Sequence, residues 1–203
     1  LRTSIRTAND AIFSRTLSEH DKRGMGTTAT VLALQPRRYL IGQVGDSRAY
    51  LLRNAEFIQI TKDHSYVQEQ VDAGLLTPDQ ARVHPYSNVI TRCVGAGVDV
   101  MPDVYVGALE EGDVVLLASD GLTGMLEDEQ LTRILQSEGG PQRWVDRLIT
   151  EANRRGGLDT ITEQGSLAPL LGEMQHRADL YDLIDYEGYN TFDSSVFNFR
   201  IEK

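Results

Sequence analysis

The sequence predicts an α+β fold, on three observations. A helical apolar spacing opens the chain. β-branched, alternating runs with hairpin punctuation follow it through the first half. Two further helical stretches come after about residue 128. With 203 residues, 40% hydrophobic and 25% charged, the chain suits one globular domain of ordinary core size plus an appendage.

Each element follows in order. Ile5, Ala8, Ile12, Phe13 and Leu17 recur at helical spacing, which predicts a helix from Arg2 to Glu19. HDKRGMG turns the chain, and TTATVLALQ reads as a strand. After the break at Pro36, YLIGQVGDSRAYLLR holds two strand-like runs around Gly45-Asp46-Ser47. Asn54-Ala55-Glu56 turns again, and FIQIT returns as a hairpin partner. From His64 to about Pro85 the character is helical, with Thr77 as N-cap before Pro78. Asn88 to Val94 reads as extended, and Gly95-Ala96-Gly97 turns. VYVGALEEGD leads through an acidic turn into the apolar run Val114 to Ala118. Asp128 is expected to cap a helix through Leu135. Gln142 to Arg154 gives another helix, with Trp144, Leu148 and Ile149 on its apolar face.

From about Glu163 the composition becomes aromatic and acidic. Leu167, Leu170, Leu171, Met174, Ala178 and Tyr181 make a helical stripe capped by Ser166, and Phe197, Phe199 and Ile201 alternate as in a strand. The expected organisation is a domain over residues 1–162 and an atypical tail over 163–203.

Composition excludes several classes. The formal charge is -10 and no Lys/Arg-rich run occurs, so nucleic-acid binding has no electrostatic footprint. Cys93 is the one cysteine, which rules out an internal disulfide and suits a reducing cytoplasm. No apolar run approaches the roughly 20 residues that span a bilayer. LRTSIRTAND lacks the apolar centre of a signal peptide. The chain starts on Leu1 already inside a helical pattern and reads as a fragment or a processed chain.

Some motifs favour a bland reading. GMGTTA has dinucleotide-fingerprint spacing, but a helix precedes it and a strand follows, the reverse of the required context. A tight turn is the better reading. Cys93 has no arginine among the residues after it to wrap a phosphate, so a small buried thiol is expected. His20, His64, His84 and His176 show no zinc-ligand spacing. A dehalogenase-type aspartyl nucleophile at SDGLTG fails because its position is Ala118.

Three acids remain. Asp46 follows Val44-Gly45, Asp120 ends the run VVLLASD, and Asp159 follows Gly156-Gly157-Leu158. One such Asp is usually a turn former. Three in similar settings suggest convergence on one site, where carboxylate oxygens suit hard cations such as Mg²⁺ and Mn²⁺.

The ordered set GTT (26–28), VGDSR (44–48), DHS (63–65), NVITR (88–92), Gly95, GDVVLLASDGL (112–122) and GGLD (156–159) resembles the bacterial metal-dependent serine/threonine protein phosphatases of type 2C. The resemblance covers roughly Leu1 to Thr162. It implies a four-layer α-β-β-α sandwich of two antiparallel sheets flanked by helices. It also implies two Mn²⁺ or Mg²⁺ ions sharing a water that attacks phosphorus in line.

Asp120 and Asp159 would bind the same primary metal, and Asp46 with Asp120 a third, weaker one. Residues from about Tyr66 to Pro85 would form a flap that bears on substrate choice. The implied partners are phosphorylated proteins, including serine/threonine kinases and their substrates. The chain departs from the family twice. The Asp-Gly pair and phosphate-binding Arg expected before the first helix are not in the sequence, and after Asp159 the usual Asn and final strand give way to an unfamiliar tail. The alternative is therefore a catalytically impaired phosphatase-like domain that binds a partner or regulates.

Overall fold

The computed structural model describes residues 1–156 and the backbone of a strand at Val196–Arg200. In chain order it contains α1 (Arg2–Ser18), β1 (Ala29–Gln35), β2 (Arg38–Val44), β3 (Arg48–Arg53), β4 (Glu56–Gln59), α2 (Tyr66–Asp72) and α3 (Pro78–Arg82). Then come β5 (Asp103–Ala108), β6 (Val114–Ala118), α4 (Asp120–Thr123), α5 (Asp128–Leu135), α6 (Gly140–Arg154) and β7 (Val196–Arg200). Strands β1-β2-β5 form one antiparallel sheet and β4-β3-β6-β7 a second.

Alternation along the central strands explains the layering. Successive strand residues face opposite sides. Ala49 and Leu51 of β3 and Val115 and Leu117 of β6 meet Tyr39 and Ile41 of β2, so the two sheets pack face to face. The intervening residues Tyr50, Leu52, Val114, Leu116 and Ala118 face the other way, onto Leu131, Leu135, Trp144 and Leu148 of α5 and α6. On the far side, Ile5, Ala8 and Ile12 of α1 cover Val31 and Val44. The order is thus helix, sheet, sheet, helices, and a strand buried on both faces, such as β6, has to be apolar throughout.

Local signals place the turns. Arg53 pairs with Glu56 across Asn54 and Ala55, at φ 50° and 67°, the left-handed two-residue turn that suits a twisted hairpin. Thr77 caps α3 in a reciprocal capping box with Gln80 and a proline in the first turn. At α5 the cap is Glu127, one residue before the expected Asp128, because the Gln130 side chain returns to the Glu127 N–H at 3.0 Å.

Two expectations need correction. The packed face of α1 is Ile5, Asn9, Ile12 and Thr16, and Leu17 is 74% exposed. Asn9 is buried because its amide donates to the Gly97 carbonyl at 3.0 Å and its carbonyl accepts from the Gly95 N–H at 2.8 Å. A hydrophobic periodicity does not register that exchange. Residues 88–94 form no strand. Ile90 bridges to Ser65 and Val94 to Thr27, so the segment meets two different partners and builds a ladder with neither.

The tail stripe at 167–181 and its cap at Ser166 lie outside the described residues. The expected terminal strand is present at Val196–Arg200 and adds an edge to the second sheet beside β6.

Candidate metal centre

The register of two strands brings two of the three candidate acids together. Arg48 of β3 lies opposite Ala118 of β6. Asp46 stands two residues before the first, and Asp120 two after the second. Because the strands run antiparallel, both acids sit at the same end of the second sheet.

Asp46 occupies a turn that other parts of the chain hold on both sides. Gly45 is at φ 105°, and a Cβ there would collide with the Thr28 side chain, so glycine is required on two grounds. His64 grips Gly45 reciprocally: its N–H donates to the Gly45 carbonyl at 2.9 Å, and its Nδ1 accepts from the Gly45 N–H at 3.0 Å. Gln43 Nε2 donates to the carbonyls of Gly45 at 3.2 Å and Ser47 at 3.0 Å. Thr30 Oγ1 donates to the Ser47 carbonyl at 2.9 Å, and the Thr28 and Ser47 hydroxyls meet at 2.9 Å.

Gln43 itself is fully buried, and its Oε1 has no hydrogen-bond partner among the described residues. An orphaned buried acceptor costs about 1–3 kcal/mol.

The turn is braced from behind. Nδ1 of His64 is an acceptor, so a neutral ring carries its proton on Nε2, which faces Asp103 Oδ2 at 3.2 Å. Arg92 Nη1 donates to Asp103 Oδ1 at 3.1 Å and to the Met101 carbonyl at 2.8 Å. Burial alone would raise the Asp103 carboxyl, but its His64 and Arg92 partners outweigh that and lower it from its ordinary value. Arg48 forks onto Asp63 with contacts of 2.7 to 3.0 Å. Burial works against the Arg48 charge, but Asp63 more than offsets it and raises the guanidinium above its ordinary range.

Asp120 is held differently. The buried strand β6 delivers it to the first residue of α4, and Leu122 within that helix and Leu126 just beyond it are buried in the helix-side core. Its carbonyl accepts from the Gly124 N–H at 2.7 Å. Arg82 of α3 donates to the carbonyls of Thr123 and Leu126 at 3.3 Å each, which ties the segment read as a flap to this turn.

Electrostatics couple the two acids. Asp46 is pushed up to about 6, first by burial and then by the Asp120 charge. Asp63 adds to the rise, while the backbone N–H of Asp46 and the Arg48 charge oppose it. A carboxylate so placed is stabilised in its charged form by a nearby cation. Two carboxylates at one sheet end are hard oxygen donors of the kind Mg²⁺ and Mn²⁺ take. Asp46 and Asp120 therefore fit such an ion. Among the described residues, no group of three or more His, Cys, Asp or Glu side chains is arranged to hold a metal. Asp159, the third candidate, lies outside the described residues.

Cys93 is half-buried rather than fully buried. Its Sγ stands beside Gly26, where an added Cβ would lie 3.3 Å away, in keeping with a packing role. Sequence reasoning missed Gln43 and passed over His64 as a lone loop histidine. A polar residue in the run YLIGQV was the available signal for Gln43.

The chain is similar to known proteins. Residues 1–70 match the model of the family Protein phosphatase 2C. The protein phosphatase PhpP of Streptococcus pneumoniae is 43% identical over 140 residues, covering 69% of this chain and 57% of that protein. The S. agalactiae serine/threonine phosphatase structure superposes with a TM-score of 0.74 at 42% identity, over 78% of this chain and 65% of that one. The catalytic domain of the serine/threonine protein phosphatase PstP, solved in complex with two manganese ions, gives a TM-score of 0.68 at 38% identity, over 74% and 62% of the two chains. The chain thus spans less than two thirds of the length of these relatives.

Proposed function

We propose that this chain, which belongs to the protein phosphatase 2C family, carries part of the cation site of a protein serine/threonine phosphatase. The observation that carries the reading is the β3–β6 register, which sets Asp46 and Asp120 at one sheet end. Asp120 and Asp159 are read as ligands of a primary Mn²⁺ or Mg²⁺ ion. Asp46 and Asp120 are read as ligands of a further, weaker one. Divalent cations bound there supply a water of lowered pKa for in-line attack on the phosphorus of phosphoserine or phosphothreonine.

The chain's own residues hold the ligands still. The Gly45–Ser47 turn is tied to β1, β2 and His64, and the Asp120 turn is anchored by Leu122 and Leu126. The substrates are read as phosphorylated proteins, including serine/threonine kinases and their targets, in the cytoplasm. Among the described residues no helix is long and apolar enough to cross a membrane. Residues 1–162 are read as the phosphatase unit, and 163–203 as a segment that lends it an edge strand.

The test is Mn²⁺-dependent release of inorganic phosphate from a phosphoserine peptide. Asp120→Asn is expected to lower kcat/KM by at least about 100-fold, a loss of about 2.7 kcal/mol in transition-state stabilisation. Unchanged activity in that variant would reject the site. Mn²⁺ binding without turnover in the parent chain would establish the alternative, a phosphatase-like binding domain.

A further inference from the structure

We infer that Gln43 is a positioning residue for the cation site. Its amide spans Asp46 by holding the carbonyls of the residues on either side, Gly45 and Ser47, which sets where the Asp46 carboxylate is presented. The inference rests on reading Asp46 as a cation ligand.

Three observations carry it. First, Gln43 occupies a core position. Ile41 and Tyr39, two and four residues earlier on β2, lie between the sheets, and Gln43 shares their face by strand alternation. Gln43 is fully buried, and its Oε1 goes without a partner among the described residues. An apolar residue would fill that place at lower cost. Where a chain breaks a core rule in this way, a functional reason is expected.

Second, the bonds it makes are not needed to satisfy the acceptors. The Gly45 carbonyl also receives the His64 N–H, and the Ser47 carbonyl also receives Thr30 Oγ1. Removing Gln43 strands neither carbonyl. What only Gln43 does, among the described residues, is join both carbonyls to one nitrogen, at 3.2 and 3.0 Å. That link closes a ring around Asp46.

Third, this fixed geometry serves the side chain between the two carbonyls. With Gly45 held at φ 105° and Ser47 pinned at both its carbonyl and hydroxyl, Asp46 keeps little backbone freedom. Partners that orient a metal ligand are typically worth about 10–100-fold in metal affinity.

The experiment titrates the full chain with Mn²⁺ alone by calorimetry and records thermal melts without divalent ions. The variant is Gln43→Met, which keeps length and fills the space but donates nothing. We expect the Mn²⁺ dissociation constant to rise about 10-fold while Tm stays within a few degrees of the parent. A purely structural role gives the opposite pattern, a lowered Tm with unchanged affinity, and would overturn the inference. Should Gln43→Met not fold, Gln43→Asn retains an amide that falls one methylene short of the two carbonyls, and about 10-fold weaker binding is expected there too. Parent-like affinity there would count equally against the inference. If the parent binds no Mn²⁺, or Asp46→Asn binds it as well as the parent, the site reading itself fails. If Asp46→Asn weakens binding and the Gln43 variants do not, only the positioning role fails.

Discussion

The two acidic turns of the site are built in opposite ways. The Asp46 turn is held by polar groups from three other parts of the chain: Gln43 on β2, Thr28 and Thr30 on and before β1, and His64. The Asp120 turn rests mainly on apolar anchors on either side, with β6 before it and Leu122 and Leu126 after it, and Arg82 reaches only the carbonyls of Thr123 and Leu126 beyond the acid. Asp46 is half-buried with a raised pKa, and Asp120 is exposed. Polar clamps fix direction, because a hydrogen bond has an angle. Apolar anchors fix depth, because burial rewards area without regard to orientation. The two candidate ligands are thus presented by different routes.

The contrast can be broken from the polar side first. Arg48→Met leaves Asp63 buried at the foot of the first turn without its bidentate partner. A loss of about 3–5 kcal/mol in urea melts is expected, and a loss under about 1 kcal/mol would show that the brace is idle. On the apolar side, Leu122→Ala opens a cavity in the helix-side core and is expected to cost about 2–5 kcal/mol in the same melts. It should lower stability at pH 5 and pH 8 alike, since no titrating group is lost.

His64→Ala comes next, at about 1–3 kcal/mol, because the Gly45 N–H loses its acceptor in a buried turn. Amide hydrogen exchange at Gly45 is the sharpest measurement, and protection equal to the parent's would contradict the assigned bond.

The smallest effect has the opposite sign. Asp46 keeps its proton up to about pH 6 in the folded chain and to about 3.9 in the unfolded one. The folded state therefore binds more protons between those values, and stability falls as pH rises through that window. Asp46→Asn removes the penalty. Without divalent ions it should stabilise the protein by about 1 kcal/mol at pH 7.5, after allowance for solvent screening, and by nothing below pH 3.5. Equal gains at both pH values would show that the carboxylate is not the cause.

Much of the fold was legible because its elements carry period and punctuation. The alternation in YLIGQV and RAYLLR, the Asn54-Ala55 turn and the Thr77-Pro78 cap each act through neighbours in sequence. The pairing of Asp46 with Asp120 was legible only as a suspicion. Spacing does not encode register, and the β3–β6 pairing that joins them spans some seventy residues. Asn9 and His64 were not legible as clamps, since each bonds a backbone group far along the chain, and Gln43 was not, since its bonds to the nearby Gly45 and Ser47 carbonyls depend on a turn geometry that hydropathy does not score. The one visible trace of Gln43 was a polar letter where an apolar one belonged.

The Gly45–Ser47 turn carries a last consequence. The groups that clamp it come from a neighbouring hairpin strand, the segment before that strand, the strand leading into the turn and the loop after the hairpin. A molten form that kept its helices and strands but lost its fixed packing would lose those clamps at once. If Asp46 is a cation ligand as proposed, cation affinity is then a gauge of native order: on warming at pH 7.5, a bound Mn²⁺ should be released while the far-ultraviolet dichroism still looks folded.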